Sequence, residues 1–158
     1  MINPGADPSV LPGRPARAAT GSSSIPPVPN THGPKPDDPK PVFSNIDAFV
    51  RGYLTQVVER RIAVGATAGL YWCPRWWAHP EGISRLYCLW RVWETLRVSD
   101  PQTGMSLWWR DHFDPHFAAL TSEVGPFSRC RPDRHVDPQP LPSEPAPPEI
   151  LAQFYDGG

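Results

Sequence analysis

The chain has 158 residues, with 15 Lys and Arg set against 16 Asp and Glu for a formal net charge of −1. That near-neutral balance lacks the concentrated basic footprint by which many nucleic-acid proteins can be recognised from sequence. Its 23 prolines are unevenly placed and divide the chain into a folded middle and two tails.

Residues 1–42 hold 11 of those prolines among Gly, Ser, Ala and Thr, with hardly a large apolar side chain. Such a segment cannot bury enough surface to offset its ordering entropy, so it is expected to be a disordered tail. Its first residues, Met1 to Asp7, lack the basic start and apolar stretch of a secretory signal. The longest apolar run, Ile62 to Trp72, is too short and too rich in Gly and Ala to span a bilayer. A cytoplasmic protein without a membrane partner is therefore expected. In that compartment Cys73, Cys88 and Cys130 read as thiols or metal ligands rather than disulfides.

Residues 43–135 are expected to form one small domain, mainly α, of three to four helices with irregular Trp-rich and Cys/His segments. From Ser44 onward Ile46, Phe49, Val50, Tyr53, Leu54 and Val57 recur at steps of three and four, which predicts an amphipathic helix over about 45–61. Ser44 or Asn45 can cap it, and Arg60 and Arg61 suit its negative end. Ile62 to Trp72 has no helical stripe and two glycines, so a loop or a poor hairpin follows. A second helix starts at Pro80 with Glu81 paired to Arg85, and Ile83, Leu86, Tyr87, Leu89, Trp90, Trp93 and Leu96 cover most of its circumference. It should be the central, most buried helix. Glu94 on its apolar side calls for an arginine, with Arg97, Arg91, Arg75 and Arg110 as candidates.

Asp100 to Gly104 reads as a turn, and Met105 to Phe113 as a third helix. Asp114 and Pro115 look like the cap and first residue of a fourth, from about Pro115 to Ser122. Gly125-Pro126-Phe127 ends it, and Cys130 to His135 closes the domain in irregular chain. Residues 136–158 hold 6 prolines and four acidic groups with no Lys or Arg, a second disordered tail. A short helix near 149–155 would set Ile150, Leu151 and Phe154 on one side.

The most specific chemistry lies in Cys73, His79, Cys130 and His135. Two Cys and two His complete a tetrahedral zinc set, and a domain of this size gains stability from such a clip. The spacing is not that of a standard zinc knuckle, and Cys73 and Cys130 also fit as small buried residues with His79 capping a helix. A second constellation, Asp111, His112, Asp114 and His116, places histidines beside carboxylates as a hydrolase would. Pro115 interrupts its helical spacing, however, and no nucleophile or phosphate loop accompanies it.

All 7 tryptophans lie between Trp72 and Trp109. Trp90 and Trp93 belong to the core stripe, whereas in Trp76-Trp77 and Trp108-Trp109 one member of each pair can reach the surface. These four, together with the flanking Arg75 and Arg110, are the candidate partner contacts, able to fill a protein's pocket or stack on bases.

The strings Trp72-Cys73-Pro74-Arg75-Trp76-Trp77-Ala78-His79-Pro80-Glu81, Leu89 to Glu94, Trp108 to His116, and Gly125-Pro126-Phe127 with Cys130 and His135 resemble a family of uncharacterised actinobacterial proteins. The resemblance covers roughly residues 43–135. It implies no assigned reaction, only small accessory products of chromosomes, plasmids and phages, and so a mobile-element setting. The expectation is a non-catalytic accessory or interaction module with zinc as the candidate ligand and a protein as its partner. A nucleic-acid-binding protein is the alternative, and an enzyme using Asp111, His112 and Asp114 the second.

Overall fold

The computed structural model describes residues 39–65 and 67–154. The expected N-terminal tail therefore lies outside the described residues except for its last four positions, 39–42. Among the described residues the architecture is helical and contains no strand: α1 (residues 46–57), α2 (Pro80–Ser99), α3 (residues 104–121) and α4 (Pro148–Leu151). None of these helices is long and apolar enough to cross a membrane.

The first helix begins where Asn45, in extended conformation, accepts the Ala48 N–H on its side chain at 2.8 Å. That bond satisfies one of the donors a helix start leaves open. Val50–Leu54 is wound as a π-helical stretch, and Phe49, Val50 and Leu54 are buried. The helix is shorter than its sequence suggests. Val58 turns to extended backbone after Val57, so Arg60 and Arg61 leave the axis and do not serve its negative end. The following segment is a loop closed by one isolated bridge, in which Leu70 donates to Arg61 O and Ala63 donates to Leu70 O, both at 2.8 Å. Gly69 makes that approach feasible, because a Cβ there would lie 2.6 Å from the Ala63 nitrogen.

The second helix is the central one. Pro80 occupies its first turn, where a missing N–H costs nothing, and Glu81 pairs with Arg85 at 2.7 Å. Leu86, Leu89, Trp90, Trp93 and Glu94 are buried along it. The Phe49 and Tyr53 rings of α1 close on Trp93 at 5.9 and 5.0 Å, and Trp108 of α3 donates its indole N–H to Leu89 O at 2.9 Å. Phe113 and Phe117 continue the aromatic core, stacked at 4.8 Å.

Asp114 and Pro115 do not separate two helices. α3 runs on through them, with a π-helical stretch at Trp108–Phe113 and Asp114 itself helical at φ −55° and ψ −49°. Proline lacks the N–H for an i to i−4 bond, and its ring crowds the carbonyl one turn back. A widened turn immediately before it relieves both conflicts without breaking the axis. Asp114 is thus an exposed position inside a helix and not a cap.

α4 falls in the expected C-terminal segment, but it presents Ile150, Leu151 and, just beyond it, Phe154 to solvent; Phe154 is 80% exposed. The last residues, 155–158, lie outside the described residues.

Candidate metal centre

Two irregular segments flank the bottom of the helical core and bring the Cys and His residues together. Tyr71 donates its N–H to Thr121 O at 3.0 Å, which ties the strand of chain before Cys73 to the end of α3. Trp72 packs edge-on against Phe127 at 5.3 Å and fixes the same corner from the side. A 3-10 turn over Trp76–Ala78 then delivers His79 to the position preceding α2. On the other side, Ser128 bonds back to Gly125 and Cys130 to Phe127, so the chain coils tightly into Cys130. Arg131 and Arg134 exchange both backbone bonds, at 2.8 and 3.0 Å, and this turn returns His135 to face Cys73. Arg131 closes the corner with its guanidinium 4.7 Å over the Tyr71 ring.

One ligand atom from each of Cys73, His79, Cys130 and His135 lies within 4.8 Å of the others. His135 Nδ1 sits 3.3 Å from Cys73 Sγ and 3.9 Å from Cys130 Sγ, and His79 Nε2 sits 3.4 Å from Cys130 Sγ. A zinc ion with bonds of about 2.3 Å to sulfur and about 2.0 Å to nitrogen sets tetrahedral edges of roughly 3.3–3.8 Å; the two shorter separations fall in that range and the one of 3.9 Å lies just beyond it. His79 occupies the helix-cap position but makes no side-chain cap bond, and its ring turns to Cys130 instead. Its Nδ1 is buried with no partner among the described residues. A cation would take the Nε2 lone pair that faces Cys130 and leave the proton on Nδ1, which has no acceptor among the described residues.

The electrostatics fit the same group. Burial first, then His135, hold the His79 imidazole below its ordinary value of 6.5, against the opposing charge of Asp137. The neutral ring keeps a lone pair for a metal. Burial and then Cys130 push the Cys73 thiol up to about 12, outweighing Arg75. Such a thiol stays protonated near neutrality unless a cation binds it. Cys73 and Cys130 are both buried and unpaired as disulfides, whereas Cys88 is exposed on α2 and stands outside the quartet.

Asp111, His112 and Asp114 are not assembled in this way. Arg110 clamps Asp111 through two bonds of 2.7 and 2.9 Å on the surface, and Asp114 is exposed. Among the described residues no hydrogen bond joins the three. His116 Nδ1 instead faces Arg85 at 3.5 Å, and burial, Arg85 and His112 lower its proton affinity in that order.

The paired tryptophans split between core and surface. Trp76 and Trp108 are buried, Trp109 is half-buried, and Trp77 is 53% exposed with the Arg75 guanidinium 5.1 Å over its ring. Arg110 is occupied by Asp111. Two contributors escaped the sequence reading: Asp137, bound to His135 at 3.0 Å, and Gly82, against which Phe127 packs. Asp137 lies in the acidic segment, where its charge looked like a property of a tail. The only local signal for Gly82 was a glycine inside a strong helix.

A family model described as "Domain of unknown function (DUF4913)" matches residues 43–149, extending beyond the 43–135 covered by the motif resemblance. No curated protein and no solved structure matches the chain.

Proposed function

As a member of the DUF4913 family of unknown function the chain inherits no reaction, and we propose that it is a non-catalytic, zinc-stapled helical module whose surface serves a protein partner. The observation that carries this reading is the convergence of Cys73, His79, Cys130 and His135 within 4.8 Å. Four protein ligands fill a tetrahedral ion and leave no position for water or substrate, which distinguishes a structural zinc from a catalytic one. The clip joins the segment before α2 to the segment after α3, two stretches held otherwise by turns, aromatic edges, the Arg131–Tyr71 stack and the Tyr71 bond to Thr121 O. Zinc would supply there a fixed charge that turns two buried thiols into thiolates and links distant parts of the chain.

Metal analysis of the purified full-length chain tests it, with Cys73→Ser and Cys130→Ser alongside. One zinc per chain, lost in both variants together with thermal stability, is the expected result. A metal-free wild type as stable as its variants would sink the proposal.

One observation favours a second reading. Arg75 stacked on the exposed Trp77 makes a cationic aromatic surface of the type that holds an unpaired base. Anisotropy with a single-stranded oligonucleotide at low and moderate salt tests this role. Nucleic-acid binding requires affinity that falls steeply with salt and falls again in Trp77→Ala. No binding, or binding indifferent to salt, removes nucleic acid as the occupant of that surface.

A further inference from the structure

The two ring nitrogens of His135 face different surroundings. Nδ1 looks into the quartet, 3.3 Å from Cys73 Sγ, while Nε2 lies 3.0 Å from Asp137 Oδ1 on the outside. Asp137 has a side chain 93% exposed, so it adds nothing to the core by packing. A neutral imidazole carries its proton on one nitrogen and its lone pair on the other, and an ionised carboxylate can only accept. The Asp137 contact therefore places the proton on Nε2 and leaves Nδ1 bare toward the sulfurs. Between these residues the Val136 N–H points at Cys130 Sγ at 3.4 Å, a donor well placed for a thiolate. Three consecutive residues thus supply one ligand, hold its tautomer and solvate a second ligand.

We infer that Asp137 is a positioning residue for zinc(II): its carboxylate fixes His135 in the Nε2–H tautomer and strengthens Nδ1 as a ligand. Carboxylate partners of this kind orient the imidazole and raise its basicity toward a metal. The affinity of the site is then set in part by the first residues of the acidic C-terminal segment. The inference rests on reading the quartet as a metal site.

The full-length chain, stripped of metal, is titrated with zinc(II) in competition with a chromophoric chelator. Wild type binds one equivalent, and Asp137→Ala binds one equivalent with affinity lower by about tenfold or more. Asp137→Asn keeps an oxygen that can accept from Nε2–H but loses the charge, so it falls between them. The metal-free wild type and Asp137→Ala melt at the same temperature, because the side chain is exposed. Long-range imidazole nitrogen correlations show the proton of His135 on Nε2 in metal-free wild type and distributed over both nitrogens in Asp137→Ala. Equal zinc affinity in wild type and Asp137→Ala, or an unchanged tautomer, overturns the role of Asp137 while leaving the metal site standing. A wild type that takes up no zinc(II) overturns the metal site itself.

Discussion

The carboxylate of Glu94 accepts the backbone N–H of Phe43 at 3.0 Å, joining the middle of the central helix to the point where the chain enters the fold. The same carboxylate accepts the Val42 N–H at 3.1 Å, the Trp90 indole N–H at 3.3 Å and the Arg97 guanidinium at 2.7 Å. Arg97 reaches on to the carbonyl of Lys40 at 3.0 Å. A buried acid on an apolar helix is thereby satisfied on both oxygens, and the order of residues 40–43 depends on it.

Glu94→Ala is accordingly expected to cost about 3 kcal/mol, because it strands a partly buried guanidinium and two backbone donors together. Glu94→Gln keeps the shape and one good acceptor, and should cost about half as much. Urea unfolding of the three proteins gives the ranking. An alanine variant as stable as wild type would show that the entry segment does not depend on this anchor.

The same group gives stability a pH dependence. Burial opposes the charge on Glu94, but the bonds from Phe43, Arg97, Val42 and Trp90 outweigh it, and the carboxyl is held below its ordinary value of 4.5. A depressed acid contributes fully above its unfolded value, and the contribution is lost as pH falls through the folded one. Wild type should therefore exceed Glu94→Gln at pH 7, and the gap should narrow steadily below about pH 4.5. Denaturation midpoints across that range check the trend; a gap that is constant with pH would assign the loss to packing.

α1 and α2 were legible in the sequence because each carries its own periodic apolar stripe, and Arg97 could be named for Glu94 because it lies on the same helix. Cys73, His79, Cys130 and His135 could be assembled despite irregular spacing, since residue type alone marks them. What was hidden depends on distant packing. Nothing local says that the end of a proline-rich segment supplies backbone donors to Glu94, nor that Asp137 belongs with His135. Asp114-Pro115 carried the normal signature of a new helix. The signature failed because Phe113 and Phe117 must both face the core, which an unbroken axis with one widened stretch allows.

The two adjacent tryptophan pairs should separate stability from recognition. Trp108 is fully buried and bonded to Leu89 O, so Trp108→Phe loses a hydrogen bond and ring volume and should cost about 2–3 kcal/mol. Trp77→Ala, at an exposed site, should change stability by no more than about 0.5 kcal/mol. If the surface around Arg75 meets a partner, Trp77→Ala weakens that contact while melting like wild type. Equal destabilisation by the two substitutions would contradict the exposure of Trp77.

Gly82 connects the central helix to the Cys/His quartet through Phe127. A Cβ at this position would lie 2.9 Å from Trp76 O and 3.0 Å from the Phe127 ring. Neither neighbour can retreat freely: Trp76 belongs to the turn that presents His79, and Phe127 accepts the Cys130 N–H on its carbonyl at 2.9 Å. Gly82→Ala should gain helix propensity of about 1 kcal/mol yet still destabilise, because overpacking costs about 1–3 kcal/mol. The displacement passes to His79 and Cys130 together, so zinc(II) affinity should fall along with the unfolding midpoint. A Gly82→Ala protein that is more stable and binds zinc(II) as wild type does would show that the Phe127 contact has slack, and that the ligand geometry is set elsewhere.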